Sequence, residues 1–189
     1  MTVIGKTTSR RRLLGAFAGV AVVSATPVYA SVAGFLRNAG DVRRISMRSQ
    51  RTGESIHTIY WIEGKYINPA LEEINYFMRD WRQNEVISYD RRNIDILAAS
   101  HRLMETTEPY TLLSGYRSTK TNALLRRSNR GVASNSYHIK GMAADVRLKS
   151  RSVSQMAAAG KACKSGGIGK YNGSNFVHMD SGPVRSWRG

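Results

Sequence analysis

Acidic side chains are scarce in this chain: 13 Asp and Glu stand against 29 Lys and Arg, giving a formal charge of +16 over 189 residues. A surface so short of carboxylates seeks polyanions. Nucleic acid is one such partner, but the basic residues are scattered along the whole chain, with no arginine-rich tail and no recognition motif, so a nucleic-acid binder is not expected. Cysteine is almost absent. With Cys163 alone, no intramolecular disulfide, cysteine cluster or Cys-x-x-Cys redox pair can exist. A thiol protease would need Cys163 as its nucleophile, yet that residue closes an amphipathic segment, Ala157 to Cys163, and reads as a buried spectator. Internal repeats and low-complexity tracts are missing too. The apolar run from Leu13 to Ala25 is interrupted by Gly15, Gly19 and Ser24 and ends at Thr26-Pro27, short of the roughly 20 apolar residues that span a bilayer.

That run has another reading. Ser9-Arg10-Arg11-Arg12-Leu13-Leu14 is a twin-arginine pattern, and Val28-Tyr29-Ala30 is a small-residue cleavage site. Residues 1–30 are therefore expected to be a cleaved export signal, with the mature chain starting at Ser31, no membrane anchor afterwards and a periplasmic destination. The charge falls to +12 once Lys6, Arg10, Arg11 and Arg12 leave, because the segment holds no acid. Residues 31–189 are of the size of one domain. In the periplasm the abundant polyanions are the cell wall and the lipid surface.

Along the mature chain, Ser31 to Gly40 has no clear type. Val42 to Arg48 and Ser55 to Ile62 alternate apolar and polar residues around Arg51-Thr52-Gly53-Glu54, which predicts a hairpin. Asn68-Pro69 opens a helix whose stripe is Leu71, Ile74, Phe77, Met78 and Trp81, and Asn93 to Met104 repeats that periodicity. Tyr110 to Ser114 and Met142 to Val146 read as buried strands, Ser152 begins a helix, and Gly166 to Gly169 and Ser174 to Met179 read as paired short strands. The class is α+β.

Chemistry is concentrated in two places. In Ser136-Tyr137-His138-Ile139-Lys140-Gly141-Met142-Ala143-Ala144-Asp145 a histidine is followed by an aspartate seven residues later, and Phe176-Val177-His178-Met179-Asp180 supplies a second histidine. Two imidazoles and one carboxylate are the ligand types that Zn²⁺ takes when one coordination position stays open for water, which points to a hydrolase. His57 and His101 have no such context and read as structural. Arg117, in the turn Ser114-Gly115-Tyr116-Arg117-Ser118, presents a planar five-donor group suited to a carboxylate or an oxyanion. Ser136 is placed to orient the loop that carries His138.

Taken together, Ser114-Gly115-Tyr116-Arg117-Ser118, Ser136-x-His138-x-x-Gly141-x-Ala143-x-Asp145 and Gly167-Ile168-Gly169 leading to Phe176-Val177-His178-Met179-Asp180 resemble the zinc D-Ala-D-Ala peptidase family, and within it a small murein endopeptidase branch. The likeness runs from the hairpin through Trp81-Arg82 to Pro183-Val184-Arg185-x-Trp187. It implies a hedgehog-like α+β fold with a small antiparallel sheet and flanking helices. It also implies one zinc held by His138, Asp145 and His178, and an active-site role for Arg117. The substrate it implies is peptidoglycan peptide, cut at a cross-link such as that between two diaminopimelate residues. A D-alanyl carboxypeptidase and a non-catalytic zinc-containing wall-binding module are the alternatives. Other branches place a general base three or two residues before the last zinc histidine, where this chain has Asn175 and Phe176. Asp180 is then the candidate base. It is equally a candidate to fix the imidazole or cap the Ser181-Gly182-Pro183 turn, and a third reading dispenses with a protein base.

Overall fold

The alternation read over residues 42–62 builds the hairpin expected there. Strands β1 (Val42–Ser49) and β2 (Ser55–Ile62) pair antiparallel and turn Ile45, Met47, Ile56 and Tyr60 into the interior. The computed structural model describes residues 41–129 and 131–189; the export signal expected over residues 1–30 and the segment 31–40 lie outside the described residues. After β3 (Lys65–Tyr66), helix α1 (Asn68–Phe77) buries Leu71, Ile74 and Phe77. It stops short of Trp81, which is 41% exposed in the turn beyond. The helix is ended by tertiary pairing: the Met78 carbonyl accepts the Tyr116 amide at 2.8 Å, and Asp80 bridges to Glu85.

Helix α2 (Arg91–Leu103) is capped by the Asp90 carboxylate, which accepts the Arg92 amide. Strand β4 (Tyr110–Ser114) follows as expected. Helix α3 (Thr119–Ser128) was not expected: its buried residues are Thr121 and Asn122, so it carries no apolar stripe to read. A 3₁₀ turn (Tyr137–Lys140) leads into β5 (Ala143–Arg147). Helix α4 (Val153–Ala162) starts at the capping box of Ser152 and Gln155. Strands β6 (Gly167–Tyr171), β7 (Phe176–Asp180) and β8 (Arg185–Arg188) complete the described chain.

The α+β class holds, but the small antiparallel sheet does not. Eight strands form one mixed sheet in the order β3-β2-β1-β4-β5-β7-β6-β8, with β4 parallel to β1 and β8 parallel to β6. The chain between β1 and β4 returns through two helices to the edge of β1 that β2 leaves open, and such a crossover delivers a parallel strand.

Helices α2 and α4 pack on the sheet, and Val177 and Met179 on that side of β7 are fully buried with Leu97, Met156 and Ile168. His178 and Asp180 alternate with them and so point to the opposite face. Among the described residues no helix is long and apolar enough to cross a membrane. Cys163 is buried in the core, and burial pushes its thiol up to about 12, as suits a spectator.

Candidate metal centre

Register brings the first two groups together. Asp145 on β5 is the cross-strand partner of His178 on β7, and both side chains rise from the same face. His138 arrives from the 3₁₀ turn, whose backbone is set by Ser136: its hydroxyl accepts the His138 amide at 3.3 Å. Gly141, at φ +64°, ends the turn and lets the chain enter β5, so the seven-residue spacing returns Asp145 to His138. The three donor atoms lie within 4.8 Å of one another. His178 Nδ1 and Asp145 Oδ1 are 2.8 Å apart, and His138 Nε2 is 3.2 Å from each of them.

Each ring is oriented from behind. His138 Nδ1 lies 2.7 Å from the Gly115 carbonyl, which can only accept, so Nδ1 carries the proton and Nε2 faces the cluster. His178 Nε2 lies 3.0 Å from Asp180 Oδ2, which leaves Nδ1 facing the cluster. Burial lowers the His138 imidazole below its ordinary value despite the adjacent Asp145, which keeps it neutral as a ligand must be. Burial would also lower His178, but hydrogen bonds to Asp145 and Asp180 raise it to about 9. Asp145 is held well below the usual carboxylate range, the two imidazoles outweighing its burial. Two imidazole nitrogens and one ionised carboxylate converging in this way fit a zinc ion.

Arg117 is found at the cluster, bound to one of its members. Its Nη2 donates to Asp145 Oδ2 at 2.7 Å and its Nε to Ser114 Oγ at 2.8 Å, while Nη1 makes no hydrogen bond among the described residues. Geometry separates the three roles open to Asp180. Its carboxylate is 0% exposed and sits behind His178, accepting the Gly167 and Gly182 amides at 3.1 and 2.8 Å and a bidentate pair from Arg185. It has no face toward the cleft, so it fits the orienting role and not that of a base. The Gly182 contact also makes it the cap of the turn that follows.

The cluster opens into a cleft of about 490 Å³ walled by Arg117, Tyr171, Phe176, Arg185 and Trp187. The Asn175 side chain is an amide and not a base, and among the described residues Asp145 is the only side-chain carboxylate in the lining. His57 and His101 lie elsewhere, at a separate cavity beside Tyr110, where His101 Nε2 is 2.8 Å from the Glu108 carbonyl.

Asp80 was invisible in the sequence, because a single acid after a helix carries no signal. At 1% exposure it accepts the Ser118 amide and hydroxyl at 2.9 and 2.7 Å and the Arg82 amide at 3.0 Å, fixing the segment that presents Arg117. Burial pushes its carboxyl up, but Thr121, Ser118 and the Arg82 amide hold it below the ordinary value. A depressed folded value stabilises the protein above the unfolded pKa of about 3.9 and is lost as pH falls through the folded value. Acid melts of Asp80→Asn should therefore show lower stability than wild type at pH 7, by about 2 kcal/mol, and a gap that narrows below about pH 4.

The chain matches the family model described as "Peptidoglycan L,D-endopeptidase MepK" over residues 37–187. It is 39% identical over 182 residues to the peptidoglycan L,D-endopeptidase MepK of Escherichia coli K12, covering 95% of this chain and 97% of that protein. The probable peptidoglycan L,D-endopeptidase MepK of Haemophilus influenzae is 36% identical over 148 residues, 78% of this chain and 80% of the relative.

Proposed function

The chain belongs to the peptidoglycan L,D-endopeptidase MepK family of peptidases, and on that premise we propose that it is a zinc-dependent endopeptidase of the periplasm that hydrolyses amide bonds in the cross-linking peptides of the cell wall. The observation that carries the metal is the presetting of both rings: Gly115 and Asp180 each occupy the rear nitrogen, leaving His138 Nε2, His178 Nδ1 and Asp145 Oδ1 to face one point. When bound, zinc supplies a water of lowered pKa and a Lewis acid for the scissile carbonyl.

The remaining work falls to the chain. Asp145 and the two histidines hold the ion, and the open cleft beside them admits an extended peptide. Arg117 is kept beside the reacting centre by Asp145, and its Nη1 is the donor offered to an oxygen of the substrate. An amide joining an L-centre to the D-centre of a second diaminopimelate has a free carboxylate next to its nitrogen, which gives that guanidinium a matching partner. Asp180 orients His178, and among the described residues the cleft lining offers no side-chain carboxylate besides Asp145. Residues 1–30 are removed on twin-arginine export, and residues 31–189 act as one catalytic domain.

Digestion of purified sacculi with the chain from Ser31, and identification of the released peptides by mass, tests this reading. Cleavage of cross-links joining two diaminopimelate residues is expected, lost on chelation and restored by added zinc. Release of D-alanine alone would make the protein a carboxypeptidase. Stoichiometric zinc without release would make it a wall-binding module.

A further inference from the structure

We infer that Arg185 is a positioning residue of the metal centre, acting through Asp180 on His178. Two adjacent cross-strand rows carry the inference. Asp145, His178, Gly169 and Trp187 are register partners on β5, β7, β6 and β8, and Ala143, Asp180, Gly167 and Arg185 form the neighbouring row. Strands two apart are separated by roughly 10 Å, and a side chain on β8 reaches β7 only if the strand between them has none in the way. Strand β6 meets that condition with glycine at both positions. A Cβ on Gly167 would stand 2.6 Å from the Arg185 guanidinium carbon, and one on Gly169 2.5 Å from the Trp187 ring. The Gly-x-Gly of the sequence is thus a trough through which Arg185 and Trp187 lie across the sheet.

At the end of the trough Arg185 meets Asp180 with both terminal nitrogens, Nη1 to Oδ1 at 3.0 Å and Nη2 to Oδ2 at 2.6 Å. Its guanidinium carbon is 5.0 Å from the Tyr137 ring centre and 4.9 Å from that of Trp187. A planar fork held between two rings suits arginine and not lysine. Both its terminal nitrogens serve the carboxylate and Nη1 also serves the Pro183 carbonyl, so this arginine is tied to the protein at the wall of the cleft it lines. Its loss leaves Asp180 buried without its guanidinium partner: the Gly167 and Gly182 amides still hold Oδ1, but Oδ2, the oxygen that meets His178 Nε2, loses the Nη2 bond that fixes it, so the ring holds Nδ1 less firmly toward Asp145 and His138.

The inference rests on the zinc reading, and zinc affinity separates the two. The mature chain, loaded with zinc and challenged with a chromogenic chelator, gives Kd for wild type, Arg185→Ala, Arg185→Lys, Asp180→Asn and the Asp180→Asn, Arg185→Ala double variant. Arg185→Ala is expected to bind zinc 10–100-fold more weakly, with partial recovery in Arg185→Lys. Adding Arg185→Ala to Asp180→Asn should cost little more, because the arginine acts only through that carboxylate. Wild-type affinity in a folded Arg185→Ala overturns the inference while the zinc reading stands, and so does full additivity in the double variant. If Arg185→Ala does not fold, wild-type affinity in Arg185→Lys overturns it. A wild type that binds no zinc overturns both.

Discussion

The His138→Ala variant is expected to lose stoichiometric zinc and more than about 10³-fold of its cross-link cleavage, equal to about 4 kcal/mol of transition-state stabilisation, while remaining folded. His138 supplies one of three converging donors, and with two left the ion has neither its charge balance nor a fixed open position. Its ring is 2% exposed, and among the described residues its one hydrogen bond outside the cluster is to the Gly115 carbonyl. Truncation therefore leaves one buried acceptor unpaired, about 1–3 kcal/mol, against a domain stability of roughly 5–15 kcal/mol. The apolar cluster around Leu97, Met156 and Met179 lies on the other face of the sheet and is untouched. Metal content, sacculus digestion and a thermal melt on the same preparation check this. A folded variant that keeps both zinc and cleavage would remove the metal centre from the reaction.

Gly115→Ala should damage the site, to a smaller degree, without removing any functional group. A Cβ at this position would lie 2.5 Å from the Met78 carbonyl oxygen, a backbone atom that cannot swing aside. That carbonyl also accepts the Tyr116 amide at 2.8 Å, and the Gly115 carbonyl holds His138. Overpacking of this kind costs about 1–3 kcal/mol, and displacing the carbonyl frees the His138 ring, which should weaken zinc binding by 10–100-fold. A melting shift together with a raised zinc Kd is the expected pair of results. Lowered stability with unchanged zinc affinity would show that Gly115 serves packing alone.

Much of this architecture was legible because burial and period coincide. The β1–β2 hairpin and α1 have one apolar face each, and the motif of His138, Gly141 and Asp145 encodes a turn followed by a strand. Legibility failed where polar groups do the holding. Helix α3 is anchored by Ser118, Thr121 and Asn122, so its pattern reads as loop. The end of α1 depends on Met78 and Tyr116, 38 residues apart in sequence, and strand β8 is recruited by glycines on β6. Arg117 was readable as a residue of the site, but its attachment to Asp145 follows from a strand register that no local pattern reveals. Asp180 was visible as a carboxylate near His178; only the sheet shows which side of the ring it occupies.

The row that joins Asp145, His178, Gly169 and Trp187 also bears on how the protein matures. Its two donors, Asp145 and His178, lie 33 residues apart, and His138 comes 40 residues before His178, so no early local segment offers all three donors. Nucleation by metal, the route taken by small zinc modules, is closed to such a topology. The nonlocal sheet must assemble first, at the slower rates typical of high contact order. Refolding is therefore expected to proceed at the same rate with or without a chelator, the ion being taken up afterwards by a finished polypeptide.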